Sequence, residues 1–444
     1  MSMSRRRFLG AAGGAVVASA VGVGAWEGLL RDHIDDRPHA APKPGQSGAS
    51  GKLPAPADRV LVVLQLTGGN DGLNTLIPVD GRYHDARPTI GVADADLVHL
   101  DGETGYGLAP ELAPLGALWK AGRLAALDGV GFAGASHSHF QALDWWWSAT
   151  PGTTSATGWL GRWLDATAGD AKTANPLRGI ALGAGAPMVR AQHAMATVIN
   201  DPNLFNLKAP TGVDGAALVE AFKKAGAPAG GASQSLDTLA RGSMLEVTGA
   251  VDRLAPVGIG TPNPAAARPG GKRGGAKAGA AVGGGGGTAT EGLDLAAKLI
   301  GLNLGTRVIA VGTGGYDTHA GEATSHKALL TDLAGGLKSF FDTIDKSGHG
   351  DRVLVLTTSE FGRRVQENGS GGTDHGAGSV QFVVGSGVNR KVQGSPDLAH
   401  LTAEGDVQPA IDTRSLFSTG LDWLGGPTAQ VLGKQYDTFG LLKT

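Results

Sequence analysis

The chain has 444 residues, 41% of them hydrophobic, with 38 Lys plus Arg against 40 Asp plus Glu and no cysteine. That length and apolar content support one large α/β domain or two smaller ones with a sizeable core. The near-neutral balance gives no electrostatic case for nucleic acid, and the lack of cysteine excludes disulfides, thiolate metal ligands, a cysteine nucleophile and a cysteine-derived formylglycine.

At the amino terminus, Ser4-Arg5-Arg6-Arg7-Phe8-Leu9-Gly10 precedes an apolar, small-residue stretch from Ala11 to Val23. A basic segment before a short apolar one is a secretory pattern, and paired arginines followed by Phe-Leu point to the twin-arginine pathway. Residues 1–30 are therefore expected to be a twin-arginine signal peptide, with Ala18-Ser19-Ala20 as a cleavage motif. The stretch is short and rich in Gly and Ala, which disfavours stable spanning. The mature form is expected to have no membrane span, to meet the twin-arginine export machinery, and to work in the periplasm or outside the cell. Residues 31–57 are rich in Pro, Ala, Gly and Ser and read as a linker.

A single α/β hydrolase-like domain is expected over residues 58–444. Arg59 to Leu66 is an apolar run with the signature of a buried strand. Helical periodicity over Leu112 to Lys120 precedes a strand from Leu124 to Asp128. A helix is expected from Ser138 through Trp145-Trp146-Trp147, then a short strand over Gly179 to Leu182. Ala216 to Lys224 and Leu236 to Leu254 have helical spacing. Residues 258–290 are nearly all Gly, Ala, Pro, Lys and Arg, which cannot bury enough apolar surface to fold, so a disordered insertion is expected there. Order resumes with a helix from Gly292 to Leu302 and a strand from Arg307 to Val311. A long amphipathic helix then runs from Thr324 to Lys346. Strands over Arg352 to Leu356 and Val380 to Val384, and a closing helix from Asp412 to Leu424, complete the reading. Strands alternating with helices imply a mostly parallel sheet covered on both faces.

Polar clusters sit at the ends of these strands, where open α/β sheets build their sites. Asp71 lies in a glycine-rich turn after the first strand, as a turn residue or a metal ligand. Ser138 and Gln141 form a capping box, while a helix amino terminus also favours an activated hydroxyl. Ser138 is thus a candidate nucleophile, and His137 or His139 a base or ligand. Asp317 and His319, two apart on an extended segment, face one side and can reach one ion. Glu360 follows a strand and is trailed by Arg363 and Arg364, either of which suits an anionic oxygen. Asp374 and His375 close the set, Asp374 as a ligand or as the group orienting one. Without thiolates, any metal must be held by Asp, Glu, His or Asn, which favours zinc, manganese, calcium or iron.

These motifs resemble a known family. Leu66-Thr67-Gly68-Gly69-Asn70-Asp71-Gly72-Leu73-Asn74-Thr75, Ser138-His139-Phe140, Tyr316-Asp317-Thr318-His319, Ser359-Glu360-Phe361-Gly362-Arg363 and Gly372-Thr373-Asp374-His375-Gly376 occur in order. The chain looks like the Tat-exported bacterial proteins called domain of unknown function fifteen-oh-one, themselves similar to the alkaline phosphatase and sulfatase superfamily. The resemblance implies a three-layer α/β/α sandwich with a mostly parallel central sheet and a site for one or two divalent ions (zinc, calcium or manganese). It implies Asp71, Asp317, His319 and His375 as metal residues and Ser138 as the nucleophile; on their own chemistry Glu360 and Asp374 join the candidate metal residues, and His139 and Arg363 the candidate catalytic ones. It departs from the superfamily where a strand-end Asp-His-Gly reads Glu360-Phe361-Gly362. One histidine is missing there, so either Asn70 or Asn74 compensates or only one metal binds. The implied activity is hydrolysis of a phosphate or sulfate ester, small or polymeric. The alternative is a secreted binding or assembly module that keeps the fold with a degenerate metal site.

Overall fold

The computed structural model describes residues 53–168, 175–202, 214–226, 249–259 and 287–443. The expected signal peptide, most of the expected linker, most of the expected helix over Leu236 to Leu254 and most of the Gly/Ala-rich insertion lie outside the described residues. In chain order the elements are β1 (Val60–Leu66), β2 (Leu76–Pro78), α1 (Gly81–Ala86), β3 (Val98–His99), β4 (Tyr106–Leu108), α2 (Ala113–Lys120), β5 (Leu124–Gly131), α3 (His139–Ser148), α4 (Trp159–Thr167), β6 (Gly179–Leu182) and β7 (Thr197–Ile199). They continue with α5 (Gly215–Gly226), α6 (Ala289–Gly301), β8 (Val308–Thr313), α7 (Glu322–Lys346), β9 (Val353–Thr358), β10 (Arg363–Glu367), β11 (Thr373–His375), β12 (Ser379–Gly385), β13 (Lys391–Gln393), β14 (Ile411–Asp412), α8 (Thr413–Trp423) and α9 (Thr428–Leu432).

Every residue of β1 is buried, as a strand covered on both faces must be. Its side chains alternate between two cores. Val60, Val62, Leu64 and Leu66 pack with Leu115 and Trp119 of α2, Leu293 and Ile300 of α6, and Leu333, Leu337 and Phe340 of α7. Leu61 and Val63 face the other way, onto Trp146 of α3, Trp159 and Trp163 of α4, and Leu416, Phe417 and Leu421 of α8. A period of two in the strand thus meets a period of 3.6 in helices on both sides, and the result is a three-layer α/β/α sandwich.

The strands of the main sheet run β13-β5-β12-β9-β1-β8-β6-β7, with β14 beside β5. All pairings are parallel except those of β12, which is antiparallel to β9 and β5. Because β12 is reversed, its start lies at the carboxyl end of its neighbours. The excursion from β9 through the antiparallel ribbon β10–β11 therefore leaves and returns at one sheet edge. A small sheet, β2-β4-β3, flanks it.

Two helices begin two or more residues before their expected starts. Helix α6 starts at Ala289, inside the range read as insertion, because Thr288 and Glu291 form a capping box that stops fraying. Helix α7 starts at Glu322 with Gly321 as its cap and no side-chain cap bond. Its free amides are met instead by the tip of the β10–β11 ribbon: Gly321 N–H donates to the Ser370 carbonyl at 3.2 Å and Glu322 N–H to that of Gly371 at 2.9 Å. Among the described residues no helix is long and apolar enough to cross a membrane.

Candidate metal centre

Five segments meet at the carboxyl edge of the sheet: the turns after β1, β5, β8 and β9, and the ribbon leading into β12. After β1 the chain turns through Gly68 and Gly69, with φ of +122° and +79°. A Cβ on Gly68 would strike the backbone of Tyr316 and Asp317, and one on Gly69 would strike the Phe361 ring. Glycine here lets the β1, β8 and β9 loops close on one another. The Gly68 amide donates to Glu360 Oε1 at 2.7 Å.

Glu360 has no exposed face and turns inward. Its Oε1 also accepts from His139 Nδ1 at 2.9 Å, and Oε2 lies 3.5 Å from Gln65 Nε2. A carboxylate only accepts, so His139 keeps a proton on Nδ1, and Nε2 is the nitrogen left to take a metal ion or a second proton. That Nε2 is buried and has no hydrogen-bond partner. It lies 3.5 Å from Asp317 Oδ2. His375 is set the same way: its Nδ1 donates to the His137 carbonyl at 2.7 Å, freeing Nε2, which sits 3.1 Å from Asp317 Oδ1. His319 Nδ1 lies 3.3 Å from Asp374 Oδ1, and its Nε2 is 2.9 Å from His375 Nε2 and 3.1 Å from Asp317 Oδ1. Two imidazole nitrogens at that distance need a proton or a metal ion between them.

His139, Asp317 and His375 can each offer a ligand atom within 4.8 Å of the others, and His319 stands beside two of them, His375 and Asp317. Two imidazoles and one carboxylate, with the His319 imidazole adjacent and every imidazole oriented through its other nitrogen, fit a borderline divalent ion such as zinc. Asp317 and His319 side chains are 42% and 44% exposed, so one face is open. The opposite face is closed by Phe361, whose ring centroid is 4.9 Å from that of His139 and 4.6 Å from that of His375.

Charge agrees with this arrangement. Burial works against protonated His139, but the neighbouring Asp317 and Glu360 carboxylates outweigh it and push its pKa up to about 9. Burial likewise opposes ionised Asp317, yet His139, His375 and Arg363 hold its carboxyl far below the usual range. A site that draws a proton onto His139 at neutral pH is a site built for positive charge.

Other expected site residues stand elsewhere or play different parts. Asp71 is fully buried and ion-paired with Arg87, and its Oδ1 accepts from the Leu73 and Asn74 amides at 3.2 and 3.4 Å. It joins no ligand group with Glu360. Asn70 is engaged by His326 and Thr75, and Asn74 by Tyr83 and Ile90, so neither replaces a missing ligand. Glu360 and Asp374 orient His139 and His319 rather than adding a ligand face of their own. Arg363 has no side-chain exposure. It donates to the carbonyls of Gly69, Thr373 and Tyr316 at 2.7, 2.9 and 2.8 Å, to that of Gly68, and to Asp317 Oδ1 at 2.9 Å. That leaves no fork for a substrate oxygen. Ser138 caps α3 without a side-chain bond, because its own backbone amide is held by Ser136 Oγ at 3.2 Å and the hydroxyl is left exposed. The expected capping box is absent, and the serine is free beside His139.

Asp71 belongs to a second polar cluster with Arg87, Glu322 and His326. Burial would raise the Asp71 carboxyl, but Arg87 overrides it and holds the group ionised. Burial and the Asp71 charge push Glu322 well above the usual carboxylate range, so this pair keeps one proton. Its Oε2 accepts from Thr373 Oγ1 at 2.7 Å. A raised acid stabilises below its unfolded pKa and loses that stability as pH rises through the folded value. Glu322→Gln imitates the protonated form, so its melting temperature at pH 9 should be higher relative to the wild type than at pH 5. Equal pH dependence in the two proteins, by calorimetry, would show that no proton is held there.

Residues 146–437, about two thirds of the chain, match the family described as "Protein of unknown function (DUF1501)". The chain belongs to the DUF1501 family. No match is found among curated proteins. Solved structures similar to this DUF1501 protein are members of the alkaline phosphatase and sulfatase superfamily at low identity. A superfamily protein from Vibrio parahaemolyticus is 11% identical with a TM-score of 0.38, over 87% of this chain and 71% of that one. The zinc-complexed carboxyl-terminal periplasmic domain of EcEptC from Escherichia coli is 10% identical, TM-score 0.37, over 85% and 84%. The PsFucS1 sulfatase from Pseudoalteromonas sp. is 12% identical, TM-score 0.35, over 88% and 72%.

Proposed function

We propose that this DUF1501 protein is a metal-dependent hydrolase of phosphate or sulfate esters that works after twin-arginine export. The observation that carries the reading is the buried, unpartnered His139 Nε2 converging with Asp317 and His375 on a half-open face, with His319 beside them. A bound divalent ion would supply Lewis acidity to an ester oxygen and make an adjacent water more acidic. The chain's own residues do the rest. Glu360 and the His137 carbonyl fix two imidazoles, Phe361 keeps water from the floor, and the unbonded Ser138 hydroxyl sits at a helix amino terminus beside His139. Phosphate or sulfate as the ester follows from the motif resemblance.

The test is elemental analysis of protein exported in its native host, with Asp317→Ala as the metal-free control, followed by a panel of phosphate and sulfate esters. With Ser138 as nucleophile, Ser138→Ala should lower kcat by at least about 100-fold at unchanged metal content. Unchanged turnover would assign the attack to water instead. A second reading, a secreted binding module, is favoured by one specific observation: Asp71 is spent on Arg87, so the described residues assemble one ligand group. Stoichiometric metal with no turnover across the panel would support it.

A further inference from the structure

We propose that Asp406 is a positioning residue of the candidate metal centre, setting the His375 imidazole through His137; this rests on the metal-binding half of the hydrolase reading and needs no turnover. The chain of contacts is short. His375 Nδ1 donates to the His137 carbonyl at 2.7 Å, and His137 Nε2 donates to Asp406 Oδ2 at 2.7 Å. The carboxylate therefore holds the residue whose carbonyl aims a ligand.

The loop between β5 and α3 has little else to fix it. Among the described residues, residues 132–137 make no backbone–backbone hydrogen bond. Phe132 anchors the start of the loop, edge-on to Trp146 with ring centroids 5.9 Å apart. Ala133 and Gly134 are then exposed. Ser136 Oγ takes the Ser138 amide at 3.2 Å, a bond within the loop itself. That leaves the His137–Asp406 pair to fix the carbonyl that His375 needs.

Asp406 is placed to be a firm anchor. It is 2% exposed. Its amide donates to Thr402 Oγ1 at 3.0 Å, and its carbonyl accepts from the Thr402 amide at 3.0 Å. On either side, the Gly405 carbonyl accepts from Val365 of β10 at 3.3 Å, and the Val407 carbonyl from Gly378 at 2.9 Å. The turn is thus bound to the ribbon before His375 and to the backbone just after it. Arg364 Nε, 3.8 Å from Asp406 Oδ1, offsets the charge without a hydrogen bond. Backbone and imidazole of His375 are so referred to one frame, and groups that orient a metal-binding histidine in this way tune its affinity for the ion.

The experiment is zinc titration by chelator competition on the folded, exported protein, for the wild type, Asp406→Ala, Asp406→Asn, His137→Ala and the Asp406→Ala/His137→Ala double variant. Asp406→Ala should weaken zinc binding by about 10- to 100-fold. Asp406→Asn keeps an acceptor oxygen and should recover part of that loss. His137→Ala should cost as much as Asp406→Ala, and the double variant no more than either, because the two side chains form one link. With cobalt in place of zinc, the visible absorption should shift in Asp406→Ala, since the His375 ring loses its fixed direction. A purely stabilising role for Asp406 would lower the melting temperature and leave the zinc affinity and the cobalt spectrum of the folded protein unchanged. The proposal is overturned by that result, by losses from Asp406→Ala and His137→Ala that add in full, or, should Asp406→Ala fail to fold, by wild-type zinc affinity in His137→Ala. A wild type that takes up no zinc overturns it together with the metal-centre reading. Zinc binding by a wild type that cleaves no ester would sink the hydrolase reading and leave the role of Asp406 standing.

Discussion

Alanine in place of His375 is expected to weaken metal binding by more than about 100-fold and to abolish any ester hydrolysis with it, while the chain still folds. Loss of a group that merely orients a ligand already costs about 10- to 100-fold, and His375 is placed to be a ligand itself. Its Nδ1 is fixed by the His137 carbonyl at 2.7 Å, and its Nε2 faces His319 at 2.9 Å and Asp317 at 3.1 Å. The side chain is one fifth exposed, so its removal opens little void. Competition with a chelator of known affinity measures the loss. An active, metal-loaded His375→Ala protein would sink the assignment. The same titration run against pH has a defined sign. Metal must displace the proton that His139 holds up to about pH 9, so affinity should rise with pH and level off near there. Metal-free protein should behave in the opposite way. A histidine with a raised folded pKa stabilises fully below about 6.5 and loses that stability as pH rises through about 9.

Arg363→Met should destabilise the fold by about 3–5 kcal/mol, the range for removing one member of a buried charge network. The guanidinium joins four carbonyls, from Gly68, Gly69, Tyr316 and Thr373, to the Asp317 carboxylate. Methionine fills much of the volume but leaves those acceptors without donors, and buried unpaired acceptors are costly. Arg363→Lys should fall in between, since one ammonium cannot span three loops. Urea denaturation gives the value. A loss below about 1 kcal/mol would mean that these carbonyls find other donors.

Much of the sandwich is legible in the chain because strands buried on both faces read as unbroken apolar runs. Val60 to Leu64 and Val353 to Leu356 are such runs, and α7 announces itself through its 3.6-residue period. The direction of a strand leaves no such trace. Val380–Val384 reads alike in either sense, so the reversal of β12, which sets the ribbon at the site edge, is invisible until pairing is known. At the site, His139, Asp317, His319, Glu360 and His375 are legible as polar residues at strand ends, and the structure brings them together. What sequence could not assign was partnership. Asp71 finds Arg87 in the segment after α1, and Glu322 and His326 sit on the buried face of a helix, where a polar residue among apolar ones carries no sign of its partner. The Ser138–Gln141 spacing matches a capping box, yet the nearer Ser136 hydroxyl takes the amide of Ser138. Local spacing lists the candidates; competition among neighbours selects one.

The ribbon tip that closes the amino terminus of α7 ties two histidines to one lever. His319 sits on the loop that enters the helix, and His375 on the strand that leaves the tip, with Gly321 and Glu322 bonded to Ser370 and Gly371 between them. The Thr373 amide adds a third tie, to the Thr318 carbonyl at 3.2 Å. The loop that carries His319, the strand that carries His375 and the first turn of the 25-residue helix are thus pinned to one another by three backbone hydrogen bonds. An ion held between the two imidazoles would brace the ribbon tip and the start of α7 together.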